Sequence, residues 1–488
     1  MLQSFYLILM LTAVSSLAAA SLDNGDFSKI DDDGLPAGWE VDADGYEVSV
    51  DDEQPAREPH SLRIKGPDGV HGAMIEQSFA AGDVRASRHR LTGKIRTEGI
   101  VTSASLVVIV SDEDGATLFS DDMADRVVSG DTDWSSHQID VPALSDAESV
   151  TIAVLVIGSG TAWFDALDFE ALSEENGESS EEWLEYVDKA VDTLQDRYVA
   201  ADRVDWDNLR AFARKSAAQA TTQADAHSVV SAVVARLDDS HASFVRSKSE
   251  MPEDAESDPD TPAKRSARVS EHRERLRLIT VPGIEGDPLS TTATDYVDGA
   301  WDAIETADSE MVCGWIVDLR ESDGGTMWPL LAALGPILGA GDVGFFRARD
   351  PHETATWFYR DAEAGMRIDS EKVVRANASR NAPQLHSPTP PVAVVVSEDT
   401  ASAGEAVAVA FIGRENTRLF GQPTFGHASA NGNVPMPDGA LLVFPIAHAA
   451  DRDGNLHYPH ISPEVTAEPD QVMNEAEQWL FAQPGCEG

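Results

Sequence analysis

From about residue 275 onward, short apolar runs alternate with stretches that favour helix, and this alternation restricts the fold more than any other feature of the sequence. Helix-favouring stretches lie around 294–306 and 327–339 and directly after residue 402. Apolar strands separated by helices predict an α/β domain whose sheet is covered on both faces. The predicted strands are LRLITV (276–281), GWIVDLR (314–320), VAVVV (392–396) and RLFG (418–421).

Two loops rich in small residues follow strands of this predicted sheet. DLRESDGG (318–325) ends the second strand, and EDTASAGE (398–405) follows VAVVV. Ligands of such sheets bind at the loops that leave the carboxyl ends of the strands. A serine at a strand-to-helix turn presents its hydroxyl beside unpaired backbone amides, as acyl transfer requires. Ser402 is therefore the candidate nucleophile, and an ordinary helix N-cap is the alternative interpretation.

Further residues near these loops suit the same chemistry. Gly324 and Gly325 allow a backbone amide to approach a ligand closely, and with the amide of Ala403 they form a candidate oxyanion hole. Two other segments carry histidines: LDDSHASF (237–244) contains Ser240 and His241, and GQPTFGHASANG (421–432) contains His427.

In this order, the motifs resemble the tail-specific or C-terminal-processing serine peptidases, which share a catalytic domain with the tricorn core protease. The resemblance implies a crotonase-like ββα catalytic fold, with Ser402 as the nucleophile and with the Gly324/Gly325 turn and Ala403 as oxyanion donors. It spans about 183–468 and rests on LDDSHASF, IVDLRESDGG, VVVSEDTASAGEAVAVAF, GQPTFGHAS, MPDGALL (436–442) and ISPEV (461–465).

The sequence departs from the processing peptidases at the general base. In that family a lysine lies 25 residues after the serine, and here this position is His427. The tricorn branch uses a histidine that follows a serine, and Ser240–His241 match that pair. A histidine, with an ordinary pKa near about 6.5, can accept a proton near neutral pH without strong perturbation. We therefore expect His241 to be the base, with His427 as the alternative.

The acid that orients the histidine has several candidates. The resemblance implies a glutamate near the end of the domain, and Glu464 in ISPEV is the best match. Glu405, on the first turn of the nucleophile helix, can equally stabilise the helix dipole. Asp238 and Asp239, next to His241 in sequence, can simply cap a helix.

The remainder of the chain divides by composition. Turn signals between short β-type runs predict a sandwich, and apolar residues at helical spacing in 183–198 predict a helix with one buried face. The linker is too short for the PDZ domain that the processing peptidases usually carry. We expect a signal peptide (1–20), an all-β jelly-roll sandwich that resembles galactose-binding domains (21–172), an acidic hinge (173–182), the helical part of the peptidase module (183–245), a polar linker (246–274), the catalytic α/β domain (275–470) and a C-terminal tail (471–488).

Composition restricts partners and cofactors. The chain has 85 acidic and 36 basic residues, a net charge of −49 that argues against nucleic acid or an anionic membrane as partner and suits a salt-rich environment. No later run is long enough to span a membrane, and no histidines have metal-ligand spacing, so neither a metal nor another cofactor is implied. Cys313 and Cys486 are the only cysteines, so we expect no disulfide framework and place Cys313 in the core.

The function predicted is a secreted or periplasmic serine peptidase that acts on unfolded or short peptides. Two alternatives stay open. One is a non-hydrolytic binding module on the same fold, and the other is a serine esterase directed to glycans by a carbohydrate-binding sandwich.

Overall fold

The computed structural model describes residues 21–67, 72–172, 181–246, 266–273, 275–369 and 371–486. Within these ranges the chain forms an N-terminal unit of residues 21–246 and 433–444, and a C-terminal unit of residues 266–432 and 445–486. The expected signal peptide, most of the acidic hinge and most of the polar linker lie outside the described residues.

The N-terminal unit begins with the predicted β-sandwich. Its sheet order is β1-β4-β8-β5-β9-β3-β2, and β6 and β7 also pair with β5. The long strand β5 joins the two layers, because residues 89–98 pair with β9 and residues 103–111 pair with β8. Alternate side chains point inward, so that Leu91, Leu106 and Phe164 are fully buried. The strands are β1 (Glu40–Asp42), β2 (Glu47–Asp51), β3 (Ser61–Gly66), β4 (Gly72–Ala80), β5 (His89–Ser111), β6 (Thr117–Asp121), β7 (Val128–Val141), β8 (Ser149–Ile157) and β9 (Gly160–Ala171).

Helices α1 (Glu181–Arg197), α2 (Trp206–Ala217) and α3 (Gln223–Ala235) belong to the same unit as the sandwich. Thr222 and Asp225 form a capping box that starts α3. Asp225 also pairs with Arg88 of the sandwich, and Ala232 of α3 lies in the sandwich core. Because α3 packs against both the other helices and the sandwich, most of its residues are buried. The short strand β10 (Ser243–Val245) then pairs with residues 441–443.

The C-terminal unit contains the predicted α/β sheet. Its order is β11-β12-β13-β18-β19-β22, parallel except for β11. Trp315 and Val317 face helices α4, α5 and α6, whereas Ile316 faces α7, so both faces are covered. The elements are β11 (Arg268–His272), β12 (Leu276–Thr280), α4 (Thr291–Ala307), β13 (Gly314–Asp318), α5 (Met327–Leu338), β18 (Val392–Val396), α6 (Ala403–Phe411), β19 (Thr417–Gly421), β22 (Val465–Thr466) and α7 (Val472–Phe481).

Several elements were not predicted. An antiparallel sheet includes β14 (Gly341–Ala348), β15 (Ala355–Arg360), β16 (Glu363–Ile368), β17 (Glu371–Asn377), β20 (Ser429–Pro435) and β21 (Leu441–Ala450). Strand β11 lies within the expected polar linker, and α7 lies within the expected C-terminal tail, where it packs on the parallel sheet. In the described part of the chain, no helix is long and apolar enough to cross a bilayer.

The expectation that the two cysteines form no disulfide is wrong. Cys313 and Cys486 are bonded to each other, across a sequence separation of 173 residues. Cys313 does lie in the core, as expected, directly before β13. The bond therefore fixes the chain after α7 to the start of a central strand, a pairing that sequence distance alone does not reveal.

Candidate active site

The two predicted loops lie side by side at the carboxyl ends of β13 and β18. Ala401 N donates to Ser322 O (3.0 Å), and Thr400 Oγ1 donates to Leu319 O (3.1 Å). The strands are parallel neighbours, so their carboxyl ends meet at one edge of the sheet. The sheet register thus brings the glycine loop to the serine loop.

Ser402 adopts an unusual backbone conformation directly before α6. Its φ is 47° and its ψ is −104°, outside the regions that non-glycine residues normally occupy. The side chain is half-buried. Gly404 allows this tight turn, because a Cβ at that position would lie 2.4 Å from Ser322 O. The serine is therefore held at a strained turn that small neighbours make possible.

Gly324 lies next to Ser402. Its φ is 137°, and a Cβ on it would lie 3.8 Å from the Cβ of Ser402. At Gly325 a Cβ would lie 2.1 Å from Ile284 O, so that turn also requires glycine. Within the described residues, the amides of Gly324, Gly325 and Ala403 donate to no protein acceptor. They are thus available to a ligand oxygen beside Ser402.

Glu405 joins the serine loop to the loop that carries His427. Its carboxylate is fully buried, and one oxygen, Oε2, accepts from the amides of Ser402 (2.9 Å) and His427 (2.7 Å). The other oxygen, Oε1, accepts from Thr424 Oγ1 (2.6 Å) and Gly426 N (2.9 Å). Burial raises the pKa of Glu405, and these hydrogen bonds act in the opposite direction. Sequence reasoning missed this role, although the S-x-x-E spacing of a capping box was visible.

His427 is therefore brought close to Ser402 through its backbone. Both amides donate to one oxygen of Glu405. The imidazole is buried and packs edge-on against Phe425, with ring centroids 4.4 Å apart.

His241 lies in the N-terminal unit, in the turn between α3 and β10. It is only 4% exposed, and burial lowers its pKa to about 4. Its amide donates to Asp239 Oδ1 (3.0 Å), and Asp239 Oδ2 accepts from Tyr198 Oη (2.8 Å). Ser240 is exposed. Asp239 thus organises the backbone around the histidine.

Glu464 is exposed, and its carboxylate accepts a hydrogen bond from Leu419 N (2.8 Å) in β19. This contact gives it a structural position at the edge of β19. Among the described residues, no three His, Cys, Asp or Glu side chains form a group that could hold a metal ion.

The C-terminal unit matches a known family. Residues 278–467 match the family model described as Peptidase family S41. Over these residues the chain is similar to peptidase family S41. The match confirms the relation to the tail-specific peptidases that the motifs predicted, whereas the likeness of the sandwich to galactose-binding domains stays a prediction.

Relatives of known name match part of the chain. It is 26% identical over 208 residues to the nisin-resistance protein of Lactococcus lactis subsp. lactis, covering 42% of this chain and 60% of that protein. It is 27% identical over 179 residues to the carboxy-terminal processing protease CtpA of Bacillus subtilis (strain 168), covering 36% of this chain and 33% of CtpA. The chain thus spans less than two thirds of the length of either relative.

A solved structure, a lipoprotein from Streptococcus agalactiae, superposes on 62% of this chain and 96% of its own with a TM-score of 0.47 and 20% identity.

Proposed function

We propose that this protein is a serine-type peptidase that hydrolyses peptide bonds through an acyl-enzyme on Ser402. The observation that carries the proposal is the strained conformation of Ser402 at the start of α6, beside Gly324. Strain of this kind persists where the surrounding structure enforces it, and it clusters at functional sites. The S41 match supports the same chemistry.

In the proposed reaction, Ser402 Oγ attacks the peptide carbonyl while a histidine takes the hydroxyl proton. The amides of Gly324 and Ala403 donate to the resulting oxyanion. The C–N bond then breaks, and the histidinium gives its proton to the leaving amine. Water, deprotonated by the same histidine, attacks the ester, releases a carboxylate and regenerates the serine.

We assign the general base to His241 and keep His427 as the rival. The Ser240–His241 pair supports the assignment. Burial lowers the pKa of His241 to about 4, so its imidazole is neutral near pH 7 but is a weaker base than an exposed histidine. Support for His427 comes from the shared Glu405 oxygen that brings its backbone to Ser402.

We also propose an extracytoplasmic location, with unfolded or short peptides as substrates. The signal-like residues 1–20 support it. The disulfide supports it as well, because disulfides persist mainly in oxidising compartments.

Digestion of an unstructured peptide library tests the peptidase proposal. The wild-type protein and Ser402→Ala are compared at low and molar salt, and the products are read by mass spectrometry. We expect cleavage by the wild type alone. If neither protein cleaves any peptide in any salt, the peptidase proposal fails and a non-hydrolytic binding module takes its place.

Separate substitution of the two histidines tests the assignment of the base. Loss of a general base lowers kcat by about 10²–10⁴-fold, so we expect that loss in His241→Ala and a smaller one in His427→Ala. Because burial sets the pKa of His241 at about 4, the acid limb of kcat/KM should lie near that pH. The reverse ranking of the two variants would transfer the role of base to His427.

A further inference from the structure

The segment that carries His241 is attached to the β-sandwich by buried charges. Arg246 follows β10 directly, and its amide donates to Asp125 Oδ2 (2.8 Å). Its guanidinium Nη2 donates to Asp121 Oδ2 (2.6 Å). Asp121 is the last residue of β6, and Asp125 lies in the turn before β7. The sandwich therefore binds the chain at Arg246, five residues after His241.

A second arginine makes this charge cluster complete. Arg126 Nη2 donates to Asp121 Oδ2 (2.9 Å), and Arg126 Nη1 donates to Asp125 Oδ1 (2.7 Å). The side chains of Asp121, Asp125 and Arg246 are only 4%, 8% and 18% exposed. Burial disfavours the carboxylate of Asp121, but Arg246 and Arg126 outweigh this and hold its pKa far below its usual range.

Such a cluster restrains the positions of its side chains more than it stabilises the fold. The desolvation of buried ion pairs offsets much of their attraction, so replacing them with apolar residues is often neutral. Charge-assisted bonds between arginine and carboxylate nevertheless have a defined geometry. Two arginines and two aspartates that are fully paired with each other therefore define where Arg246 lies.

The same segment is held at other points of the N-terminal unit. Before His241, Asp239 accepts a hydrogen bond from Tyr198, the residue that follows α1. After it, Phe244 pairs with Leu442 and packs edge-on against His227, with ring centroids 5.1 Å apart. The turn containing His241 itself forms no strand or helix, so its position depends on these attachments.

We propose that Asp121 and Asp125 of the β-sandwich, acting through Arg246, position His241 for catalysis. The inference rests on the proposed function, since it takes His241 as the general base. Asp121, Asp125 and Arg246 are positioning residues. A displacement of a catalytic group by about 1 Å can lower a rate about 10²-fold. Loss of the ion pairs of Arg246 should therefore lower kcat by displacing His241. The sandwich then serves the reaction directly, whatever ligand it binds.

The test compares Arg246→Ala and Arg246→Lys with a matched control, Arg88→Ala. Loss of the Arg246 side chain leaves Asp121 and Asp125 paired with Arg126, so we expect the variant to fold. Arg88 is 14% exposed and pairs with a carboxylate that is 4% exposed, as Arg246 does with Asp121, but it contacts Asp225 in α3. The full-length proteins are compared by kcat, KM and hydrogen exchange of residues 239–246.

For Arg246→Ala we expect kcat to fall by about 10–100-fold with KM changed less than about twofold, together with faster exchange across 239–246. Arg246→Lys should recover part of both. Arg88→Ala should keep wild-type kcat and wild-type exchange in 239–246 even if its Tm falls.

Three results overturn the inference. Wild-type kcat and exchange in Arg246→Ala, while His241→Ala is inactive, would refute the positioning role and leave the proposed peptidase intact. Equal losses of kcat in Arg246→Ala and Arg88→Ala would mean general destabilisation. Full activity in His241→Ala would instead refute the base assignment and, with it, the catalytic part of the inference, whatever the exchange data show.

Discussion

Ser402 occupies a conformation that a residue with a side chain adopts at a cost of about 1–3 kcal/mol. Its neighbours permit the strain. Gly404 leaves room for the backbone of Ser322, and the left-handed backbone of Gly324 lies beside the serine side chain. Ser402 is the N-cap residue of α6, but ordinary N-caps have extended backbone, as Thr222 does before α3, and Ser402 does not.

Substitution Gly404→Ala tests this packing. A Cβ there would lie 2.4 Å from Ser322 O and 2.8 Å from Ser322 Cβ, so the loops must separate. We expect a loss of about 1–3 kcal/mol in urea unfolding, with a reduced kcat. Gly299→Ala in α4 is the control, since its Cβ meets nothing within 4 Å; it should be neutral or stabilising by up to about 1 kcal/mol. Equal effects of both changes would contradict the packing argument.

A second prediction at this scale concerns the hydrogen bonds that the Glu405 carboxylate accepts. In Glu405→Gln, an amide group must face donors that a carboxylate accepted, including the amides of Ser402 and His427. Hydrogen bonds to charged groups contribute about 1.5–3 kcal/mol, so we expect destabilisation of at least that size and a large fall in kcat. Glu464→Gln, at an exposed site with one bond to Leu419 N, should change stability by less than about 1 kcal/mol. Chemical denaturation of both variants is the measurement.

At the scale of elements, α7 covers one face of the parallel sheet. Val472, Ala476 and Leu480 cover the face of the sheet that includes Val395 and Phe420. Without this helix, that face of central strands would meet water. The disulfide from Cys486 to Cys313 holds the end of the chain against the start of β13.

Removal of this disulfide should destabilise the C-terminal unit. The bond closes a separation of 173 residues, and loss of such native bonds typically costs about 2–5 kcal/mol. We expect a lower guanidinium midpoint for the wild type with reductant and for the double variant Cys313→Ala/Cys486→Ala. Reductant should have no effect on the double variant. Unchanged midpoints would show that α7 is held by apolar packing alone.

At the scale of the whole molecule, the charge of −49 is the dominant electrostatic feature. Like charges repel one another across the surface, and salt screens this repulsion within a Debye length of about 10 Å at 0.1 M. Basic residues are few, and several arginines are used in buried pairs such as those at Asp121, Asp140 and Asp225. Salt screens these buried pairs less than it screens exposed pairs.

We therefore expect Tm to rise between about 0.05 M and 1 M KCl, by roughly 2–4 °C for each kcal/mol gained. Sucrose at matched osmolality is the control for effects other than screening. Identical Tm values in low and molar salt would remove the basis for adaptation to a salt-rich environment.

The sequence by itself determined the parts that depend on local pattern. Short continuous apolar runs that alternate with helix-favouring stretches favour strands buried on both faces, so β12, β13, β18 and β19 were predictable, and with them the edge at which Ser402 and Gly324 meet. Helical periodicity likewise predicted α1. The motifs supplied the family and the candidate nucleophile.

Only the tertiary structure decided the parts that depend on contacts between distant residues. Three sets of contacts join residues whose local sequences do not predict the pairing. They are the four hydrogen bonds to Glu405, the disulfide between Cys313 and Cys486, and the ion pair between Asp121 and Arg246. The short, half-exposed strands β16 and β17 also escaped prediction, because their pairing rather than their composition makes them strands. Local pattern sets what each segment can become, whereas packing sets which segments meet, because burial and hydrogen-bond satisfaction are properties of the assembled chain.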